Sequence, residues 1–505
     1  MTNITSVKGA AMSKSRNVLF ITSDQFRADC LGCAGADWLE TPNYDRLAAD
    51  GVRFSRAFAS NPICVPARAT MTTGNHSHKS TGSKNNDGRI RDGQPKIAEI
   101  FNAAGYETYA MGKLHYVPYQ LPRLVHGFKH WLLTESGRLM RQSAANNWDI
   151  GTEEYYEYLK EVGYENMYRA HGVGNNDVRG AVSPLPAEHS VDHWVADISI
   201  RHIDRHLAET PDKPFFMWTS FPKPHSPYDP PEPWHRKYDP REVPLPVGSP
   251  ELLAGRNPEL RSRPARYCWD LMSPQQVALA RARYYGLISF QDAQVGRLLA
   301  HLEENGLLED TVILFTADHG DLLGDLGCFF KSCFLPGAED IPMILRAPGI
   351  PQGEVRDMPV GTEDVLPTLL DLAGIQIPTG IQDGRSLVLA ATDGTPVRDI
   401  YIAQTGEPPN QCYMASDGKW RYCYSELEAT EELYDMENDP AELRNLAGDS
   451  AQAARASDLR GAVIDWCRAN GDEKMLDPNG DLVRSQWQMP EERPRLPGAF
   501  GWRGF

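Results

Sequence analysis

Four near-continuous apolar runs recur along this chain, and each ends in residues that carry charge or can hold a proton. Asn17-Val18-Leu19-Phe20-Ile21-Thr22 runs into Ser23-Asp24-Gln25, and residues 106–111 run into Gly112-Lys113-Leu114-His115. Residues 214–221 are followed by Pro222-Lys223-Pro224-His225, and residues 311–316 by Ala317-Asp318-His319-Gly320. A fifth run covers 341–346. Runs that lack polar alternation suit strands covered on both faces, the situation of a parallel sheet between helices. Helical patterns lie between the runs, at 96–104, 189–207, 274–305 and 364–372. Ser273-Pro274 supplies an N-cap and first position for the third, and Gly306 supplies its stop. Strands alternating with helices predict an α/β layered fold with a mostly parallel central sheet. In such sheets ligands bind at the carboxyl ends of the strands. Asp24, Lys113, His115, His225, Asp318 and His319 are therefore expected along one edge of one sheet.

The 505 residues can bury a sizeable core, and 41% hydrophobic with 24% charged residues is the balance of a globular protein. The net charge of -17 argues against a nucleic-acid partner, which needs surplus Lys and Arg. It leaves room for a small anionic substrate in a local basic pocket. The first sixteen residues hold no apolar run of signal-peptide length, and no segment has the roughly 18 apolar residues of a membrane span. The nine cysteines are odd in number and scattered, so a cytoplasmic protein with reduced thiols and no membrane partner is expected. Cys30 and Cys33 form a C-x-x-C without a second pair, which reads as two small buried side chains rather than a zinc or redox site.

Two stretches break the rhythm. Residues 132–186 are rich in Tyr, Asn and Gly, and residues 222–264 are dense in proline. Both are candidate walls of a substrate pocket. After Gly374 the character changes to short strands at 399–403 and 413–424, with Asp417-Gly418 as a turn, then a helix near 451–469. The expected division is a larger α/β domain over 14–376 and a smaller C-terminal α+β subdomain over 377–505. The uncapped apolar residues of the tail, 493–505, suggest docking on the larger domain or on a second copy in a homo-oligomer.

Asp24, Asp318 and His319 offer two hard oxygens and one nitrogen, a set suited to calcium, magnesium or manganese, and Gln25 could add a carbonyl oxygen. Cys64 stands in Cys64-Val65-Pro66-Ala67-Arg68-Ala69-Thr70-Met71-Thr72-Thr73-Gly74. Pro66 marks a helix start, whose free N–H groups favour an anion or an activated thiol at position 64. Arg68 follows one turn later on the same face. Lys113, His115, His225 and Lys331 add positive or proton-donating groups, so the pocket should select a compact oxyanion.

The Cys64 segment reads C-x-P-x-R-x-x-x-x-T-G, and with it the chain resembles the type I sulfatases of the alkaline-phosphatase-like superfamily from about Asn17 to Leu446. Asp24-Gln25, Gly112-Lys113-Leu114-His115, Pro224-His225-Ser226-Pro227, Asp318-His319-Gly320-Asp321, Lys331 and the Leu433-Tyr434-Asp435 run with Asp439-Pro440 carry the rest of the resemblance. It implies the superfamily's three-layer sandwich. It also implies that a formylglycine-generating enzyme oxidises Cys64 to formylglycine, whose hydrate is the nucleophile. One hydroxyl attacks sulfur, the alcohol leaves, and deprotonation of the second hydroxyl re-forms the aldehyde and expels sulfate.

By the same resemblance Asp24, Gln25, Asp318 and His319 would bind one metal ion with the modified Cys64, calcium in the first place and manganese as the alternative. Arg68 would steady the hydrate, Lys113 and Lys331 would hold sulfate oxygens, His115 would assist deprotonation, and His225 would protonate the leaving oxygen or bind a sulfate oxygen. Many sulfatases have two consecutive aspartates where this chain has Asp24-Gln25, and asparagine where it has His319. Those two positions look more like choline sulfatases and phosphonate monoester hydrolases. The expected function is hydrolysis of a small sulfate ester, with a phosphonate monoester or phosphodiester hydrolase as the alternative. A catalytically dead anion-binding relative is disfavoured by the complete residue set.

Overall fold

Eight strands form the central sheet of the computed structural model, which describes residues 16–117, 125–135 and 153–486. In chain order they are β1 (Asn17–Asp24), β2 (Val52–Phe58), β3 (Glu107–Gly112), β4 (His130–Leu133), β5 (Phe215–Pro224), β6 (Thr311–Ala317), β7 (Met343–Arg346) and β8 (Glu354–Gly361). Their spatial order is β4-β3-β5-β1-β6-β7-β2-β8. Strand β1 sits mid-sheet, parallel to both β5 and β6, with Val18 opposite Phe216 on one side and Val312 on the other. Val18, Leu19, Phe20 and Ile21 have no exposed surface, because helices cover both faces. Fully burying side chains of this size contributes about 1.5–3 kcal/mol each.

The fifth apolar run departs from the parallel reading. Strand β7 runs antiparallel to β6 and to β2. The chain leaves β6 at the carboxyl edge, makes a loop there, and re-enters from the same edge with no crossover helix, so β7 must point the other way. Strands β2, β4 and β8 carry too little apolar sequence to have been anticipated. β8 begins with four residues that are exposed or half-buried, and β4 is only four residues long.

The helix Pro274–Glu304 is fixed at its start by a reciprocal capping box, Ser273 accepting from the Gln276 N–H and Gln276 from the Ser273 N–H. Its buried face carries Tyr284, Ile288, Gln291 and Val295 toward the sheet. In the 222–264 stretch the helix Pro258–Arg266 opens on Asn257, whose side chain accepts from the Leu260 N–H. The expected docking of the tail falls on 493–505, outside the described residues. No helix among the described residues is long and apolar enough to cross a membrane.

The C-terminal part is a four-stranded antiparallel sheet in the order β12-β11-β10-β9: β9 (Tyr401–Thr405), β10 (Cys412–Ser416), β11 (Trp420–Ser425) and β12 (Thr430–Asp435). One face packs Tyr413, Tyr422 and Leu433 against Leu459, Val463 and Cys467 of the helix Ala453–Asn470. The other face packs Tyr401, Met414 and Cys423 against Phe58, the last residue of β2, and Phe334, between β6 and β7.

Candidate active site

Adjacent strands β3, β5, β1 and β6 end in Lys113, His225, Asp24 and Asp318-His319, so the sheet order itself gathers these residues at one edge. Position 64 comes from elsewhere. The helix Cys64–Thr73 is buried along its whole length, and Cys64 opens its first turn, where Asn86 accepts from the Val65 N–H.

Four side chains converge at the centre. One ligand-type atom from each of Asp24, Cys64, Asp318 and His319 lies within 4.8 Å of all the others, and all four residues are buried. Cys64 Sγ is 3.1 Å from His319 Nε2. His319 Nδ1 donates to the Gly320 carbonyl at 2.9 Å, which turns Nε2 toward the centre and makes it the ligand nitrogen. Each carboxylate has one oxygen tied by a cation. Lys113 Nζ donates to Asp24 Oδ2, and Arg68 Nε donates to Asp318 Oδ2 at 2.8 Å. The other oxygens, Asp24 Oδ1 and Asp318 Oδ1, stand 3.8 and 3.6 Å from His319 Nε2.

Burial disfavours charge on Asp24, but Lys113, His225, Arg68 and Lys331 together outweigh it and hold the carboxyl well below its usual range. Burial and Asp24 push the Cys64 thiol up, while Lys331 and His319 pull harder and bring it down to about 6. Burial and Lys331 lower His319, but Asp318 and the Cys64 sulfur outweigh them, so the balance is upward. The centre is thus a set of anionic donors inside a ring of cations.

A second layer fixes this ring, and sequence reasoning passed over part of it. Gln25 directs Nε2 to Asp321 Oδ2 at 2.5 Å and accepts from Lys331 Nζ at 2.6 Å through Oε1. Its backbone carbonyl takes the hydroxyl of Tyr284 at 2.6 Å. Asp321 also accepts the N–H groups of Leu323 and Phe330 and the hydroxyl of Tyr228. Ser220, within β5, accepts from Arg68 Nη1 at 3.0 Å. His115 has a left-handed backbone, φ 60°, and its N–H donates to Glu135 at 3.0 Å. His225 is anchored by its N–H on the Asp24 carbonyl at 3.1 Å, and its Nδ1 donates to the Ser226 carbonyl at 2.9 Å. Gln25, His115, His225 and Lys331 were readable in the sequence and Asp321 stands three residues after Asp318, whereas Ser220, Tyr228, Tyr284 and Glu135 carried no local signal.

The donor set fits a divalent cation. Oxygen ligands at about 2.4 Å from an ion lie up to about 4.8 Å apart across it, the span seen among the four converging atoms. Arg68 Nη2 is buried without a hydrogen-bond partner and leaves a donor for a group at position 64. A cavity of about 320 Å³ opens between loops of the larger sheet and the C-terminal sheet, lined by Ile63, Asn86, Asn257, Arg263, Ser332 and Asn410 among others. Ile63 and Ser332 are the chain neighbours of Cys64 and Lys331.

Comparison with known proteins agrees with this geometry. A sulfatase family model matches residues 16–375, and a model of the C-terminal part of N-sulphoglucosamine sulphohydrolase matches residues 324–467. An arylsulfatase of Clostridium perfringens is 31% identical over 463 residues, 89% of this chain and 93% of its own length. A choline-sulfatase of Rhizobium meliloti is 31% identical over 469 residues, 89% of this chain and 87% of its own. Among solved structures, a phosphonate monoester hydrolase from Silicibacter pomeroyi superposes with a TM-score of 0.74 at 28% identity, covering 92% of this chain and 97% of that one.

Proposed function

This chain belongs to the sulfatase family and is a sulfuric ester hydrolase, and from that premise we propose that it cleaves a small sulfate ester at the centre formed by Asp24, Cys64, Asp318 and His319. The convergence of those four side chains carries the reading. Asp24, Asp318 and His319 would hold one divalent cation with position 64, calcium first and manganese as the alternative, with Gln25 as a further oxygen donor through the lone pair of Oε1 that Lys331 does not take. When bound, that ion supplies Lewis-acid polarisation of a substrate oxygen. Cys64, matured to formylglycine by a formylglycine-generating enzyme, would supply the nucleophile, and Arg68 Nη2 its hydrogen-bond donor.

The remaining roles follow from the residues' own chemistry. Lys113 and Lys331 flank the centre with fixed positive charge and would draw the three sulfate oxygens inward. His115 would take the proton from the nucleophile. His225 would give one to the leaving oxygen from Nε2, since Nδ1 is committed to the Ser226 carbonyl. The cavity of about 320 Å³ is the proposed seat of the leaving group, and its asparagine-rich lining suits a polar, hydroxylated one. A cytoplasmic setting is part of the proposal, supported by nine cysteines that are all free thiols.

The phosphonate monoester hydrolase match favours a second reading, hydrolysis of a phosphonate monoester on the same scaffold. A matched pair decides between them: 4-nitrophenyl sulfate and a 4-nitrophenyl phosphonate, on protein whose conversion at position 64 has been measured by peptide mass. The sulfate should have the higher kcat/KM. A phosphonate turned over tenfold faster would replace the first reading with the second.

A further inference from the structure

Lys223 lies two residues before His225 and is buried, yet its charge does not face the centre. Its three ammonium protons go to the loop that carries His225: the Pro227 carbonyl at 2.7 Å, the His225 carbonyl at 3.4 Å and the carboxylate of Asp229. The Lys223 carbonyl is clamped as well, by Ser23 Oγ at 2.8 Å and by Gln291 Nε2 at 2.7 Å. Asp229 is held from its far side by His171 Nε2 at 2.9 Å, and His171 Nδ1 accepts the Val173 N–H at 2.9 Å. The cavity beside Asp192, Lys223 and Asp229 measures about 20 Å³, room for no ligand larger than water. The cluster is therefore not a second binding site.

A buried ion pair contributes little net stability over apolar side chains of the same volume, so its presence asks for another reason. Geometry supplies one. A proton donor works only when it is held within a few tenths of an ångström of the leaving oxygen, and a displacement of about 1 Å costs on the order of a hundredfold. His225 is fixed on one side by its N–H to Asp24 and by Nδ1 to Ser226. The Lys223 ammonium fixes the other side, stapling residues 225, 227 and 229 into one rigid turn.

We propose that Lys223 and Asp229 are positioning residues that aim the His225 imidazole at the leaving oxygen, and that His171 extends this clamp into the 153–186 segment. The inference rests on the reading of His225 as proton donor. A donor's loss hurts poor leaving groups more than good ones, which separates positioning from general damage to the fold.

The experiment compares an alkyl sulfate with 4-nitrophenyl sulfate for the wild-type enzyme, Lys223→Met, Asp229→Asn, His225→Ala and the His225→Ala/Lys223→Met double variant. Thermal unfolding establishes which variants are folded, and Asp229→Asn, which keeps the shape of the side chain, carries the test should Lys223→Met fail to fold. The expected result is a kcat for the alkyl sulfate lowered at least about tenfold more than that for 4-nitrophenyl sulfate, with little change in KM. The double variant should be no worse than His225→Ala alone. Equal losses on both esters, a rise in KM alone, or losses that multiply in the double variant overturn the inference. If His225→Ala itself fails to discriminate the esters, the role given to His225 falls, and the clamp's function with it. If His225→Ala discriminates and Lys223→Met does not, only the clamp falls.

Discussion

Gln25 Oε1 accepts a hydrogen bond from Lys331 Nζ at 2.6 Å, deep inside the site. The same carboxamide donates from Nε2 to Asp321 Oδ2. A neutral amide can do both at once, whereas a carboxylate can only accept. The glutamine at a position where many sulfatases carry aspartate is thus coupled to Asp321, which already accepts two backbone N–H groups.

Gln25→Glu keeps the length of the side chain and sets a second carboxylate against Asp321. It should destabilise the protein by about 1–3 kcal/mol at pH 8, because a buried donor is replaced by a repelling acceptor. Urea unfolding measures this. A midpoint equal to that of the parent would show that the bridge from Lys331 to Asp321 does not operate.

Gly320 tests the close approach that holds the metal-ligand loop in place. Its N–H donates to the Ala338 carbonyl at 2.8 Å, and a Cβ built there would lie 2.1 Å from the Gly337 carbonyl oxygen. Both groups are backbone, so neither can swing aside. Gly320→Ala should cost about 2 kcal/mol or more and lower kcat, since Asp318 and His319 precede it directly. Gly255→Ala, where a Cβ meets nothing within 4 Å, should stay within about 0.5 kcal/mol.

These two residues also show what was legible in the sequence. Asp24, Asp318 and His319 were readable because each follows an apolar run that could only be a buried strand, and Cys64 because its motif is long and specific. The support around them was not. Gln25, Tyr284 and Asp321 meet across about 260 to 300 positions of chain, and no local pattern encodes such a meeting. The direction of β7 was hidden for a related reason: an apolar run shows that a strand is buried, not from which edge the chain re-enters. Strands β2 and β8 escaped because they lie toward the sheet's far edge, where polar side chains are tolerated.

Stability should fall as pH rises through neutrality, owing to a buried charge cluster behind the site. Glu339, Asp340 and Glu442 surround Arg421, with Glu442 Oε1 at 2.8 Å and Asp340 Oδ1 at 2.5 Å from the guanidinium. Burial pushes the Glu442 carboxyl up to about 7, against the pull of Arg421 and Arg256. Its folded value lies above its unfolded one, so the protonated form favours the fold. The contribution is complete below about pH 4.5 and is lost as pH rises through about 7. The loss is on the order of 3 kcal/mol. Glu442→Gln should flatten the decline between pH 5 and 8 in denaturant titrations. An unchanged pH profile would remove Glu442 as its source.

Metal binding should be separable from turnover. The centre's two carboxylates already have cationic partners, Lys113 for Asp24 and Arg68 for Asp318. The fold should therefore survive treatment with a chelator, because no carboxylate is left without a counter-charge. A bound ion adds stability by mass action alone, about 2.7 kcal/mol at a hundred times its Kd. Titrating calcium into chelated protein should raise Tm by a few degrees and saturate, with manganese as the comparison ion. Asp318→Asn should abolish that rise, since it removes a ligand and frees Arg68. Cys64→Ala should keep most of it, because Asp24, Asp318 and His319 remain, while turnover drops at least a thousandfold for want of a nucleophile. Turnover by Cys64→Ala near that of the parent would show that another group attacks the ester, and loss of the calcium response in the same variant would make position 64 the dominant ligand rather than one of several.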